Sequence, residues 1–529
     1  MSFGQDLRRR NIERLGAEEF DLVVIGGGIT GAGVALDSAS RGLRTALVER
    51  ADFSSGTSSR SSKIVHGGLR YLQQREIRLV YEALSERQRL LRLAPHLVHP
   101  LPHLLPVLGS SKAKAVVKLR ARAISSALWM YDLTGAARIG KLHRKLSAAK
   151  TLERAPWLKP EQIAGGFIYY DARADDARLT LELVKTAALD HGAVVANYVE
   201  VTGIGHSGAG GNIERVEVRD RLSGTEHTIQ SGVVVNAAGV WVDEVRSMDE
   251  GSHPRALRPA KGVHISLSRS KLPADLAVVL PVPGDKRSIF IVPWNDHVYV
   301  GTTDTDYDGP LDDPRCTDED VAYLLRAVNA WVRDPIVASD VTGTWAGLRP
   351  LLSDTSDTRT ADLSRRHSVA VSPHGLVSVT GGKLTTYRRM AADAVDAAVR
   401  VLAARAGTTP SSARVFHRPS GRLRCRTARL PIRGAERDSA VELLVHEHPD
   451  LGGTLVPGLP YLRAEAVYAA REEMAMTLDD VLARRTRSLL MDRDATLAAS
   501  EPTASLLAHE LGWDEAETQR QVNAFSKVA

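Results

Sequence analysis

Residues 21–49 read DLVVIGGGITGAGVALDSASRGLRTALVE, a strand, a glycine turn, a helix and a second strand in unbroken succession. Residues 22–25 form a short apolar run suited to a buried parallel strand, and Gly26, Gly28 and Gly31 follow it in GxGxxG spacing. The first glycine permits a tight turn and the second lets backbone approach a pyrophosphate. The third lets the helix pack against its strand, so that the first turn, with Ile29 and Thr30, faces the phosphates. Gly42 ends that helix, residues 43–48 return as a strand, and Glu49 stands 18 residues after Gly31, where a carboxylate accepts ribose hydroxyls. An isolated GxGxxG fits an ordinary glycine turn equally well. The flanking strands and the terminal acid favour a dinucleotide cradle, and they leave FAD and NAD both open.

The remainder bounds the class. A chain of 529 residues suggests two or three domains, and 43% hydrophobic with 25% charged residues is the composition of a globular protein with a large core. A formal charge of +6 is mild at this length and gives no case for nucleic-acid binding. Cys316 and Cys425 are the only cysteines, with no CxxC spacing, which argues against a disulfide scaffold, a zinc site or a cysteine-held cluster. A reducing cytosol fits. No run of about 18 apolar residues suggests a membrane span, and the charged N-terminus lacks a secretory core.

After Glu49 and Arg50 comes FSSGTSSRSSKIVHGGLRYL, residues 53–72. Its small hydroxyl residues and glycines can bring backbone N–H groups against a planar or anionic ligand, so Thr57, Ser58, Ser59, Ser62, Lys63, His66, Gly67 and Gly68 are candidate cofactor contacts. A solvated loop would have no need of the apolar Ile64, Val65 and Leu69 threaded among them.

Four motifs together, GGGITGAG, SSKIVHGGLRYL, GLRP at 347–350 and GGKLTTYR at 381–388, resemble those of the FAD-dependent, aerobic respiratory glycerol-3-phosphate dehydrogenases. The likeness spans residues 21–404 and weakens beyond. It implies an α/β fold: a Rossmann-like FAD-binding domain of D-amino-acid-oxidase type, an antiparallel-sheet substrate domain and a C-terminal helical cap. It also implies oxidation of sn-glycerol 3-phosphate to dihydroxyacetone phosphate, with hydride passing from C2 to flavin N5 and electrons going on to a membrane quinone. The alternatives are an oxidase of the same substrate that passes electrons to oxygen, an amino-acid or hydroxy-acid oxidoreductase of the same fold, and a non-catalytic flavoprotein held at a membrane.

The domain boundaries expected are a discontinuous cofactor unit at 15–100, 165–250 and 345–405, a basic insertion at 101–164, a β-rich substrate unit at 251–344 and a helical unit at 411–529. Residues 75–92 read as an amphipathic helix stopped by Pro95. Between 112 and 145 stand nine lysines and arginines against Asp132 alone, with Val117, Ala121, Ile124, Leu128 and Tyr131 on one helical face. That pattern suits a helix lying in an anionic membrane surface, and an ordinary core-packed helix with a solvated basic face equally well. The family's peripheral habit favours the membrane, and with it a cytoplasmic protein peripheral on the inner face of the cytoplasmic membrane.

Strand, helix and strand are expected at 165–171, 175–191 and 194–201, and a hairpin at 213–220 and 227–229. The run GVVVNAAG at 232–239 is a separate strand whose small end, Ala238 and Gly239, lets backbone pass close to the adenine side of a flavin. Relatives often carry Thr and Pro where this chain has Ala238 and Val240. The return element LVSVTGGKLTTYRRM offers Gly382, Lys383, Leu384 and Thr385 at a second glycine turn opening onto a helix, the feature that selects FAD. A dianionic phosphate needs planar cationic donors, and Arg70 with Tyr71, Arg349 and Arg365 supply them from three motifs. The resemblance sets Arg349 and Lys383 near the developing C2 oxyanion, and His264, in a KGVHI context similar to the family's KGxH, is the candidate base. Asp304 and Asp306 read as turn carboxylates. A linker begins near Ser411, and the helices beyond it, with capping-box signals at Thr477/Asp480 and Asp514/Glu517, are associated in the family with a homodimer.

Overall fold

The computed structural model describes residues 2–69, 76–109, 114–135, 139–208, 210–251, 255–285, 287–352, 367–406 and 423–529. Three expected substrate contacts, Arg70, Tyr71 and Arg365, and most of the expected linker lie outside those residues.

One sheet is organised around strand Glu19–Ile25, which pairs in parallel with Glu226–Asn236 on one side and Thr45–Val48 on the other. The order continues to Val194–Ala196 at one end and through Val377–Gly381 to His367–Val371 at the other. Every residue from Phe20 to Ile25 is buried, as a parallel strand covered on both faces requires. Leu22 and Val24 pack with helices Ile29–Ser40, Asp176–His191 and Tyr387–Ala406. Val23 and Ile25 face the other way, onto Ile12 and Leu15 of helix Gln5–Ala17 and the valines of strands Val199–His206 and Ile213–Asp220.

The expected hairpin arm at 227–229 and the expected separate strand at 232–239 are one element, Glu226–Asn236. Its first half pairs antiparallel with Ile213–Asp220 and its second half enters the parallel sheet. Gly232, the first residue of the second expected run, marks a close approach rather than a break, since a Cβ there would sit 2.9 Å from the carbonyl oxygen of Asp21.

The second sheet has Leu257–Ser268 as its hub, paired antiparallel with His297–Gly301 and Val341–Leu352. Strands Val98–Leu108 and Ile163–Ala174 form a long antiparallel pair in this same sheet, joined to the rest through Ala277–Pro281. The strand expected at 165–171 as part of the cofactor unit, and residues 100–106, expected to divide between the cofactor unit and the basic insertion, therefore belong to the second sheet. Prolines 100, 102 and 106 stand opposite Ala172, Tyr170 and Gly166, and their even spacing puts their missing N–H groups on one side of the strand.

Helix Lys114–Leu133 turns its predicted apolar face inward. Leu128 and Tyr131 are fully buried against Val80, Leu84, Val107 and Phe167, with Val117, Ala121 and Ile124 packed beside them. The face expected to meet lipid is thus the helix's own core contact. A different set projects outward: Val116, Leu119 (69% exposed), Trp129, Met130 and Leu133 (83% exposed). Among the described residues no helix is long and apolar enough to cross a membrane.

The C-terminal helices bury their Ala and Leu stripes in a core of their own around Ala466, Ala469, Leu482, Leu507 and Phe525. Thr477 and Asp480 cap each other reciprocally, and Asp514 accepts the Glu517 N–H at the start of Glu515–Val528. This unit is fastened to the cofactor sheet by buried charges. Asp52 accepts from both Arg484 and Arg485, Arg178 pairs with Glu473, and Arg487 reaches Asp176 at 2.8 Å.

Candidate active site

The glycine turn closes as its spacing predicts. Gly26 has φ +106°, and a Cβ on it would stand 2.7 Å from the Ala237 carbonyl oxygen of the neighbouring strand. A Cβ on Gly31 would stand 1.8 Å from the Gly26 carbonyl oxygen, so helix and turn touch backbone to backbone. The Ile29 N–H donates to Ser58 Oγ at 2.8 Å, which ties the loop after Glu49 to the helix start. Glu49 is enclosed, its carboxylate accepting the N–H groups of Gly27 (2.6 Å) and Ala51 (2.9 Å), and burial pushes its pKa up. The Arg50 guanidinium lies 4.4 Å from the Trp241 ring centroid and pairs with Asp312 and Glu244.

These groups line one end of a cavity of about 620 Å³ that runs between the two sheets. Of the candidate cofactor residues, Gly26, Gly28, Ile29, Thr30, Glu49, Arg50, Thr57, Ser58, Ser62, His66, Gly68, Ala238, Gly239, Gly382, Lys383, Leu384 and Thr385 face it. Gly31, Ser59, Lys63 and Gly67 do not. Gly31 serves packing. The Gly67 N–H is held by Tyr131 Oη (3.0 Å) and Asp171 Oδ1 (3.2 Å), and a Cβ there would meet Leu84 and Tyr131. Lys63 points away, buried over the rings of Trp345 and Trp294, with its ammonium 3.3 Å from Asp176. Desolvation lowers its pKa to about 8, against the pull of Asp176.

The residues present fit FAD. A helix N-terminus and a glycine turn suit the pyrophosphate, and the cavity-lining acid Glu49 suits the ribose. A second turn with Gly381 (φ +71°) and Gly382 (φ +85°) brings backbone of the return element to the same cavity.

At the end walled by the second sheet stand Arg349 and Asp304. Arg349 Nη1 lies 3.0 Å from Asp304 Oδ1, and Nη2 donates to Thr302 Oγ1 and the Thr303 carbonyl, both at 3.1 Å. Gly262, the glycine of KGVHI, is required by this guanidinium, because a Cβ there would stand 2.6 Å from Nη2. Asp304 is therefore no plain turn carboxylate; it orients a cavity-facing arginine. Arg287, which carried no signal in the sequence, also lines the cavity and donates to the Asp304 carbonyl at 2.6 Å.

His264 lies one layer behind the wall. Its Nε2 is 2.8 Å from Ser62 Oγ, and its ring stacks on Trp345 with centroids 4.8 Å apart. Burial, reinforced by the charges of Lys63 and Arg349, drives its pKa well below the ordinary histidine value, so the imidazole is neutral near pH 7. Ser62 is the member of the pair that faces the cavity. Sequence reasoning also missed His103, a wholly buried residue in the wall, whose Nδ1 is 3.0 Å from the Leu101 carbonyl and whose ring stacks on Tyr169. Its position in a strand, where alternate residues point to one face, was masked by the flanking prolines.

Residues 21–388 match the family described as FAD dependent oxidoreductase, and residues 437–518 match the C-terminal domain of alpha-glycerophosphate oxidase. Cofactor-binding fold and cavity thus define an FAD-dependent oxidoreductase of the D-amino-acid-oxidase type with an added helical domain. The chain is 40% identical to glycerol-3-phosphate dehydrogenase 2 of Mycobacterium tuberculosis, over 98% of this chain and 89% of that one. It is 35% identical to the human mitochondrial glycerol-3-phosphate dehydrogenase, over 96% and 73%. The solved glycerol-3-phosphate dehydrogenase from Bacillus halodurans complexed with FAD superposes with a TM-score of 0.76 at 32% identity, covering 99% of this chain and 97% of that one. Glycine oxidase from Geobacillus kaustophilus, at 20% identity and TM-score 0.52 over 72% of this chain and 95% of its own, shares the fold alone. The protein belongs to the FAD-dependent glycerol-3-phosphate dehydrogenase family.

Proposed function

We propose that the enzyme oxidises sn-glycerol 3-phosphate at C2 to dihydroxyacetone phosphate and delivers the electrons to a membrane quinone. The observation that carries this reading is the Arg349–Asp304 pair, a fixed guanidinium facing the same cavity as Lys383 and the flavin cradle. FAD, when bound, supplies the two-electron chemistry that no side chain can perform. Arg349 and Lys383 stabilise negative charge on the C2 oxygen as its proton leaves. That proton goes to Ser62 Oγ while Ser62 releases its own to Nε2 of His264, a route supported by the 2.8 Å contact. Arg349 thus favours the oxyanion, while burial, with the charges of Lys63 and Arg349 adding to it, keeps the acceptor nitrogen of His264 deprotonated. Arg70, Tyr71 and Arg365 complete the phosphate site on the strength of the family resemblance.

Anchorage at an anionic membrane surface, on the inner face of the cytoplasmic membrane, belongs to the same proposal. It is supported by the outward-facing Val116, Leu119, Trp129, Met130 and Leu133 alongside Lys118, Arg120 and Arg122. Tyr131, on the buried side of that helix, hydrogen-bonds the Gly67 N–H, so the surface element and the flavin loop are in direct contact.

Anaerobic mixing of the yellow protein with sn-glycerol 3-phosphate tests the reading. Bleaching of the flavin absorbance, recovery on adding a soluble quinone and little peroxide in air are expected. Rapid recovery in air with stoichiometric peroxide would make it an oxidase, and no bleaching would remove the substrate assignment.

A further inference from the structure

His206, Asp249 and His374 are far apart in the sequence, yet the fold brings them together from three distant segments. His206 ends strand Val199–His206, Asp249 lies in the last turn of helix Val242–Glu250, and His374 occupies the turn between strands His367–Val371 and Val377–Gly381. Asp249 Oδ1 is 2.8 Å from His206 Nε2 and 3.0 Å from His374 Nδ1, and the three ligand atoms all lie within 4.8 Å of one another. The two rings meet edge to face with centroids 4.8 Å apart.

A hydrogen-bonded His–Asp–His cluster accounts for Oδ1. It leaves Oδ2 unexplained. The Asp249 side chain is completely buried, and Oδ2 finds no hydrogen-bond donor among the described residues. An anionic oxygen without a donor in the interior is costly, and a bound cation relieves that cost. The neighbouring cation, Arg405, directs its hydrogen bonds to the carbonyls of Ile213, Gly232 and His374; its charge interacts with Asp249, but it donates nothing to Oδ2. Each histidine retains a fifth to a quarter of its side-chain surface exposed, which opens the cluster to solvent on one side while the carboxylate lies beneath.

We propose that His206, Asp249 and His374 form a binding site for a borderline divalent ion, Zn²⁺ foremost. Two imidazoles and one carboxylate are a zinc donor set, with the exposed side left for water as the fourth ligand. Tetrahedral coordination at about 2.0–2.1 Å separates ligand atoms by roughly 3.3 Å. The two His–Asp separations are slightly shorter than this and the ligand atoms all lie within 4.8 Å of one another, so coordination requires the two imidazole nitrogens to close on each other as the ion enters. Helix Val242–Glu250 presents Glu244, Val245 and Met248 to the cofactor cavity while Asp249 points to the ion site. The ion would pin the far end of that helix to both neighbouring strands.

The test uses EDTA-washed, dialysed holoenzyme titrated with ZnCl₂ by calorimetry, with thermal midpoint as a second readout independent of turnover. The wild type is expected to bind one equivalent and to rise in midpoint. His206→Gln and His374→Gln are each expected to weaken that equivalent by about 100-fold or more, beyond what loss of a group merely supporting a ligand does. Each single variant leaves Asp249 one histidine partner and keeps the fold. Absence of a Zn²⁺ equivalent in the wild type, or the same equivalent and midpoint shift in the His206→Gln/His374→Gln double variant, would overturn the assignment.

Discussion

Ser62 Oγ lies 2.8 Å from Nε2 of His264, and of the two only Ser62 faces the cavity. In the proposed proton route the histidine acts on the cavity through the serine, so the pair should behave as one unit. Ser62→Ala and His264→Gln are each expected to lower kcat/KM, and the double variant should be little worse than either alone. A coupling of about 0.5–3 kcal/mol in a double-mutant cycle is the expected size. Effects that add to within about 0.5 kcal/mol would show that His264 only packs against Trp345.

Arg349 is held by Asp304, Thr302 and the Thr303 carbonyl, so its charge is oriented before substrate arrives. Arg349→Ala is expected to lower turnover about 10²- to 10³-fold, the usual effect of deleting one donor to a developing oxyanion. Flavin content per chain should stay close to wild type. Asp304→Asn should cause a smaller loss of the same kind. Parallel loss of flavin and turnover in Arg349→Ala would identify a folding residue.

Legibility in the sequence followed how local each signal was. The glycine turn, Glu49 and the return element at Gly381 and Gly382 were readable because each is a run of neighbouring residues with one backbone conformation to satisfy. The role of Asp304 was not, because it depends on Arg349, 45 residues away and on another strand. Periodicity found the apolar face of Lys114–Leu133 correctly but could not say what covers it; Val107 and Phe167 do, from two strands of the second sheet. The strand Ile163–Ala174 was assigned to the wrong sheet for a related reason. Its composition suits either sheet, and only its register with Val98–Leu108 decides.

Lys63 gives a pH-dependent prediction. Burial lowers its pKa from 10.5 to about 8, so between those values the unfolded chain binds more protons than the folded one. This group's contribution to stability therefore rises with pH across that window, and below about pH 8 the full cost of burying the charge is present. Lys63→Met should stabilise the protein at pH 7 by on the order of 1–3 kcal/mol, the lost cation–π contacts offsetting part of the gain. Asp176 would keep Ser61 and Arg487 as partners. Thermal midpoints at pH 7 and pH 10 check it: the advantage of the variant should shrink at pH 10. A variant less stable at pH 7 would contradict the sign.

Asp52 joins the cofactor sheet to the C-terminal helices, with Arg485 at 2.7 and 2.9 Å and Arg484 at 2.7 Å, all three side chains buried. Burial alone would raise its pKa, but the two guanidinium charges outweigh it and hold the carboxyl below its ordinary value. Its contribution is thus complete above the ordinary carboxylate pKa and is lost as pH falls through the lower folded value. Asp52→Asn leaves the two arginines short of one counter-charge, and breaking a buried pair in this way costs about 3–5 kcal/mol. The exposed Arg9–Asp6 pair supplies the control, since Arg9→Ala should change stability by less than about 1 kcal/mol. In limited trypsin digestion the Asp52→Asn chain should release the C-terminal helices faster than either wild type or Arg9→Ala. Equal cleavage rates for all three would mean that apolar packing around Leu490 and Trp345, not the buried charges, fastens that unit to the rest.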